Sequence, residues 1–97
     1  MYLKIHPTPQ GSMVAVCDSE LIGKVLSDRK RHLDLAAYSS FYQGKKANAA
    51  QVASALRKAQ NANLVGKKAL KAAKSAGIDI SSAIEISGIP HLQAYGL

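Results

Sequence analysis

A chain of 97 residues has room for one modest core and not for two, so a single domain spanning 1–97 is expected. Hydrophobic residues form 47% of it, too many for a disordered chain, but much of that is alanine, which predicts a shallow core with closely spaced helices. The net charge of +7 points to an anionic partner; a lone cysteine, Cys17, excludes an intrachain disulfide framework, and the lack of a signal-like start or an eighteen-residue apolar run points to a soluble cytoplasmic protein with no membrane partner.

From the N-terminus, Tyr2 to His6 alternates with Leu3 and Ile5 on one face, and Met13 to Cys17 is a second β-prone run. The turn formers from Pro7 to Ser12 join them as an antiparallel hairpin with a six-residue loop. Asp18 or Ser19 then caps a short helical turn through Glu20, Leu21 and Ile22 that Gly23 ends. Lys24 to Leu26 and His32 to Leu35 are short strands on either side of Ser27-Asp28-Arg29-Lys30-Arg31, a second hairpin. Tyr38 to Tyr42 is a bent segment that drops Phe41 into the core before Gly44 turns the chain.

At Asn48, a competent N-cap, the period changes, and Ala49, Val52, Ala53, Leu56 and Ala59 follow helical spacing. Asn61-Ala62-Asn63 interrupts it. Val65, Ala69, Ala72 and Ala76 form a second helical stripe that stops at Gly77, so the region holds two helices or one bent helix from 48 to 76. Ile78 to Ser82 is a connector. Ala83 to Ile86 and Leu92 to Tyr95 are strands flanking Ser87-Gly88-Ile89-Pro90, where Gly88 and Pro90 make a tight turn. The order ββ, ββ, αα, ββ predicts an α+β fold: a small two-layer sandwich with an antiparallel or mixed sheet of short strands and two helices packed on one face.

Charge is more informative by position than in total. No acid stands between Asp34 and Asp79, while Lys45, Lys46, Arg57, Lys58, Lys67, Lys68, Lys71 and Lys74 all fall in that window. At about 100° per residue, Lys67, Lys71 and Lys74 share one side of the second helix, nearly opposite its alanine stripe. A row of ammonium groups of this kind follows a nucleic-acid backbone by displacing counterions, and the same row also serves as a solvated helix face. Arg57-Lys58 and Lys45-Lys46 extend the surface, and Tyr42 just before them is a candidate for stacking on an unpaired base. RNA or a ribonucleoprotein is therefore the expected partner, with an acidic protein patch as the adaptor alternative.

Enzymatic chemistry has thinner support. Asn61 to Ala69 has Gly66-Lys67 where a phosphate-binding loop has Gly-Lys, but Asn61 stands where that loop needs glycine and Lys68 where it needs Ser or Thr for magnesium. His6, His32 and His91 have no metal-ligand spacing, so no metal and no cofactor are expected. Cys17 closes one strand and His91 opens another; in contact across a sheet they would make a thiolate nucleophile, and apart they are a buried cysteine and a strand histidine. His91 and Gln93 share a strand face two residues apart, a small polar site.

Ala15-Val16-Cys17-Asp18-Ser19-Glu20-Leu21-Ile22-Gly23-Lys24, Phe41-Tyr42-Gln43-Gly44, Ala62-Asn63-Leu64-Val65-Gly66 and Gly88-Ile89-Pro90-His91-Leu92-Gln93 resemble, in this order and over nearly the whole chain, a small archaeal family of uncharacterised proteins grouped as a domain of unknown function. The resemblance implies a compact α+β fold in an archaeal cytoplasm and a link to translation, and it brings no established activity. Members of that family carry more acids after the Phe-Tyr-x-Gly stretch than the Lys45-Lys46-Ala47-Asn48-Ala49-Ala50 found here, so the basic surface is a feature of this chain.

Overall fold

A computed structural model describes residues 1–9 and 11–97. Strands β1 (Tyr2–Thr8) and β2 (Gly11–Cys17) form the first hairpin, paired from Tyr2 opposite Cys17 down to Thr8 opposite Gly11. Ladder pairing therefore continues through Pro7 and Ser12, which the composition assigns to the loop; of that loop, Gln10 lies outside the described residues. A 3-10 turn over Ser19–Leu21 follows, then the hairpin β3 (Val25–Ser27) and β4 (His32–Asp34) and the one-turn helix α1 (Ser39–Tyr42). The two-residue strand β5 (Lys45–Lys46) returns to the edge of β1 before α2 (Ala49–Arg57).

Asn61-Ala62-Asn63, read as an interruption between helices, and Val65, read as the start of the second helical stripe, both belong to strand β6 (Asn61–Val65), which lies in the interior of the sheet. Helix α3 (Lys67–Ser75) follows it directly, and β7 (Ile84–Ile86) and β8 (Ile89–Tyr95) close the fold. The main sheet has the order β5-β1-β2-β6-β8-β7, mixed because β6 runs parallel to β2 and antiparallel to β8. A parallel neighbour requires a crossover, and α2 supplies it. The last hairpin turns at Ser87-Gly88, one step before the expected Gly88-Pro90, and both residues have positive φ, 52° and 81°, as a type I′ connection demands.

Cross-strand register separates the two faces. Leu3, Val16, Leu64 and Leu92 form one row, and beneath them lie Val14 and Ala62; α2 buries Val52 and Leu56 against this face, and α3 buries Ala69, Leu70, Ala72 and Ala73. Alanines on α3 let it lie close to the sheet, as the composition implies. Asn48 caps α2 with a reciprocal pair of hydrogen bonds to Gln51, the capping box that fixes the helix start.

The α+β sandwich with two helices on one face is thus the architecture, but the second face is not bare. Leu21, Leu26, Leu35 and Tyr42 from residues 18–44 pack on Ala15, Cys17, Val65 and Ile86, giving a partial third layer. Lys4 Nζ donates to the carbonyl of Ser40 at 2.7 Å and the ring of His6 stacks on Phe41 at 4.4 Å, which tie α1 down onto β1.

Candidate functional site

The basic residues sort by the layer that carries them. On α3, Lys67, Lys68, Lys71 and Lys74 are all exposed because the alanines and Leu70 take the sheet side. Lys68 and Lys71 line a groove of about 400 Å³ whose other wall is Ala47, Asn48 and Ala49 at the start of α2. Lys45 and Lys58 border a second hollow, on Leu3 and Ile5 beside α2. These six lysines all belong to the helix side of the sheet.

Three candidate residues do not join them. Lys46 pairs with Tyr2, one residue out of phase with Lys45, so it faces the opposite side and its ammonium lies 4.7 Å from the Tyr2 ring centre. Arg57, on the last turn of α2, is on the helix side as well but borders a different hollow, which it shares with Asp79. Tyr42 is 2% exposed and buried on the second face, so its ring is no stacking platform for a strand held by the helices. The two aromatic neighbours exchange the places expected of them: Phe41 is half-buried at the surface of α1, and Tyr42 enters the core.

Four of the carboxylates are engaged with backbone amides. Asp18 accepts the amides of Lys68 and Ala69, Asp34 those of Ala36 and Ala37, and Asp79 that of Ser81. Asp28 accepts three, from Ser87, Lys30 and Arg31, and these hold its carboxyl below the usual carboxylate range. Asp18 is the informative case. It caps α3 rather than the turn that follows it, and its carboxylate fills the N-terminal seat of the helix where a bound phosphate would have to lie, so the Gly66-Lys67 resemblance to a phosphate-binding loop has no vacant anion site behind it.

Cys17 and His91 occupy one row of the second face, with Val65 between them: Cys17 pairs with Val65 and Val65 with His91. Two inter-strand spacings, about 10 Å, separate their backbones, so the side chains are not neighbours. Burial, reinforced by the charges of Asp18 and Glu20, pushes the Cys17 thiol up to about 12, the reverse of what a thiolate nucleophile needs.

His91 instead belongs to a cluster that sequence reasoning did not assemble. Oδ1 of Asn63 accepts from Tyr42 Oη at 2.8 Å and bonds His91 Nε2 at 2.9 Å, which places the imidazole proton on Nε2. Burial raises the Tyr42 phenol and lowers the His91 imidazole, so both stay neutral near pH 7. Gln93 pairs with Asn63 across the sheet and is exposed beside it. The spacing of His91 and Gln93 was the available signal; Asn63, hidden in an unrecognised strand, was not readable. Among the described residues no group of three or more His, Cys, Asp or Glu side chains is placed to hold a metal, and no helix is long and apolar enough to cross a membrane.

Residues 6–97 match the family model described as a protein of unknown function, DUF424. An uncharacterised conserved protein from Methanopyrus kandleri has a similar crystal structure, with a TM-score of 0.84 and 29% sequence identity over 99% of this chain and 90% of that one. No curated protein matches the chain.

Proposed function

This chain belongs to the DUF424 family, whose function is unknown, and from its own surface we propose that it is a non-enzymatic RNA-binding protein that grips phosphates with the lysines of its helix layer. One observation carries the reading: Lys45, Lys58, Lys67, Lys68, Lys71 and Lys74 are exposed on one side of the sheet, while Asp18, Asp28, Asp34 and Asp79 are taken up in accepting backbone amides, that of Lys68 among them. Ammonium groups held on rigid helices supply sequence-independent affinity by releasing counterions, and they suit a ribonucleoprotein or translation setting in the cytoplasm.

Titration of a single-stranded RNA by fluorescence anisotropy at several salt concentrations tests the proposal. Affinity falls steeply with salt, and the Lys67→Ala/Lys71→Ala/Lys74→Ala variant loses about 2 from the log–log slope, as three phosphate contacts to a single strand imply. Equal slopes for the two proteins would remove the helix face from the interaction. Binding to an acidic protein but not to RNA would favour the adaptor instead.

A further inference from the structure

The hollow around Asn63 and His91 lies on the face of the sheet opposite the lysine grooves, and its chemistry differs from theirs. It encloses about 300 Å³ between α1, the β3–β4 hairpin and β8, at the lower end of small-molecule sites. Its walls are largely apolar and aromatic, from Leu33, Phe41 and Tyr38, and the Tyr38 ring is 62% exposed at the mouth. Its floor is polar. Because Oδ1 of Asn63 is occupied by Tyr42 and His91, the amide offers Nδ2 as a donor, and His91, protonated on Nε2, offers Nδ1 as an acceptor; neither atom has a hydrogen-bond partner among the described residues.

A donor and an acceptor set apart on one floor, Nδ1 lying on the edge of the imidazole turned away from Asn63, suit a planar nitrogen heterocycle under aromatic walls, because its ring nitrogens and exocyclic groups present both functions around its rim. An adjoining hollow of about 300 Å³ shares Leu33, His91 and Gln93 with the first and is bordered by Arg31 and His32. Arg31 is exposed, and a guanidinium is suited to a phosphate group. We propose that these two hollows together form a binding site for a nucleobase carrying a phosphate, with the base over Asn63, His91 and Gln93, against the ring of Tyr38, and the phosphate toward Arg31. The depressed affinity of His91 for a proton supports the assignment, because Nδ1 then stays an acceptor at neutral pH.

The chemistry is shared by a free mononucleotide and by an unpaired base of an RNA strand, and titration followed by amide and side-chain NMR separates them. AMP, GMP, CMP and UMP are added singly, then short single-stranded homopolymers, with ribose 5-phosphate as the compound lacking a base. Saturable shifts at Asn63 and His91 with a mononucleotide, weakened about ten-fold by Tyr38→Ala and by Gln93→Ala, assign the free nucleotide. The same shifts and losses with oligomers alone assign an unpaired base. Both substitutions are at exposed side chains, so folding is preserved. Shifts absent with every compound, matched by ribose 5-phosphate, or unchanged in both variants would overturn the site. The triple helix-lysine variant keeps mononucleotide binding, so failure of the helix-face reading and failure of this one are distinguishable.

Discussion

The carboxylate of Asp18 occupies the space that a side chain at Gly66 would fill. Gly66, with φ of 111°, stands at the N-cap of α3 without a side chain of its own to cap it, and Asp18, held by its amide to the carbonyl of Val65 at 3.0 Å, reaches the Lys68 and Ala69 amides in its place. A helix cap is thereby supplied from a distant part of the chain. Asp18→Ala leaves two amides without that acceptor and is expected to cost about 2 kcal/mol in urea unfolding, with Asp18→Asn costing less. Gly66→Ala combines an unfavourable φ with displacement of the carboxylate and is expected to cost at least as much as Asp18→Ala.

Tyr42 and His91 depend on one oxygen of Asn63. Tyr42→Phe removes one donor and leaves the other in place, for an expected loss of about 1 kcal/mol in the same measurement. Asn63→Leu strands both partners at once in a largely apolar setting and is expected to cost about 3 kcal/mol. A loss for Asn63→Leu no larger than for Tyr42→Phe would mean that the shared oxygen does not organise the cluster.

Burial lowers the proton affinity of His91 from its ordinary value of 6.5. Below that pH the unfolded chain takes up a proton that the folded chain resists, so stability is fully present above 6.5 and declines as the medium is acidified, until the folded imidazole also titrates. Urea midpoints measured between about pH 5 and 7 are expected to fall toward acid, with a shallower dependence in His91→Gln.

Asp28 is also shifted downward, but by stabilisation of its charged form under the amides of Ser87, Lys30 and Arg31. Its contribution is present above its unfolded value of 3.8 and is lost as pH falls through the lower folded value. Asp28→Asn is expected to flatten the acid limb of the stability curve in that region. Because Asp28 joins the β3–β4 turn to Ser87, hydrogen exchange at Ser87 is expected to accelerate in Asp28→Ala.

Cys17 is buried and its thiol lies near 12. Iodoacetamide at pH 8 is expected to label the native protein at least about a thousandfold more slowly than a free thiol, and to label it readily once urea unfolds the chain. Rapid labelling of the native state would reopen a nucleophilic role for this residue.

Much of the fold could be read from spacing. The alanine and leucine positions of α2 and α3 repeat at helical intervals, and both hairpins of the main sheet are marked by alternation and turn formers. β6 escaped because its evidence is weak by nature. Asn61, Ala62 and Asn63 have low strand propensity, and a strand enclosed on both sides takes its stability from neighbours that a linear pattern does not display. The same omission hid the polar cluster, since Asn63 meets Tyr42 and His91 only when β6 lies beside β8. A one-turn helix such as α1 has too little periodicity to say which of Phe41 and Tyr42 points inward.

The short outer strands also have a consequence for colloidal behaviour. β5 covers only Tyr2 and Leu3, so from Lys4 onward β1 has no strand outside it, and there the ladder carries a cationic side chain and then Pro7, which has no amide hydrogen to offer. A second molecule trying to prolong the sheet meets a charged, donor-poor border. Self-association into fibrils along that rim is thus discouraged without a protective insertion.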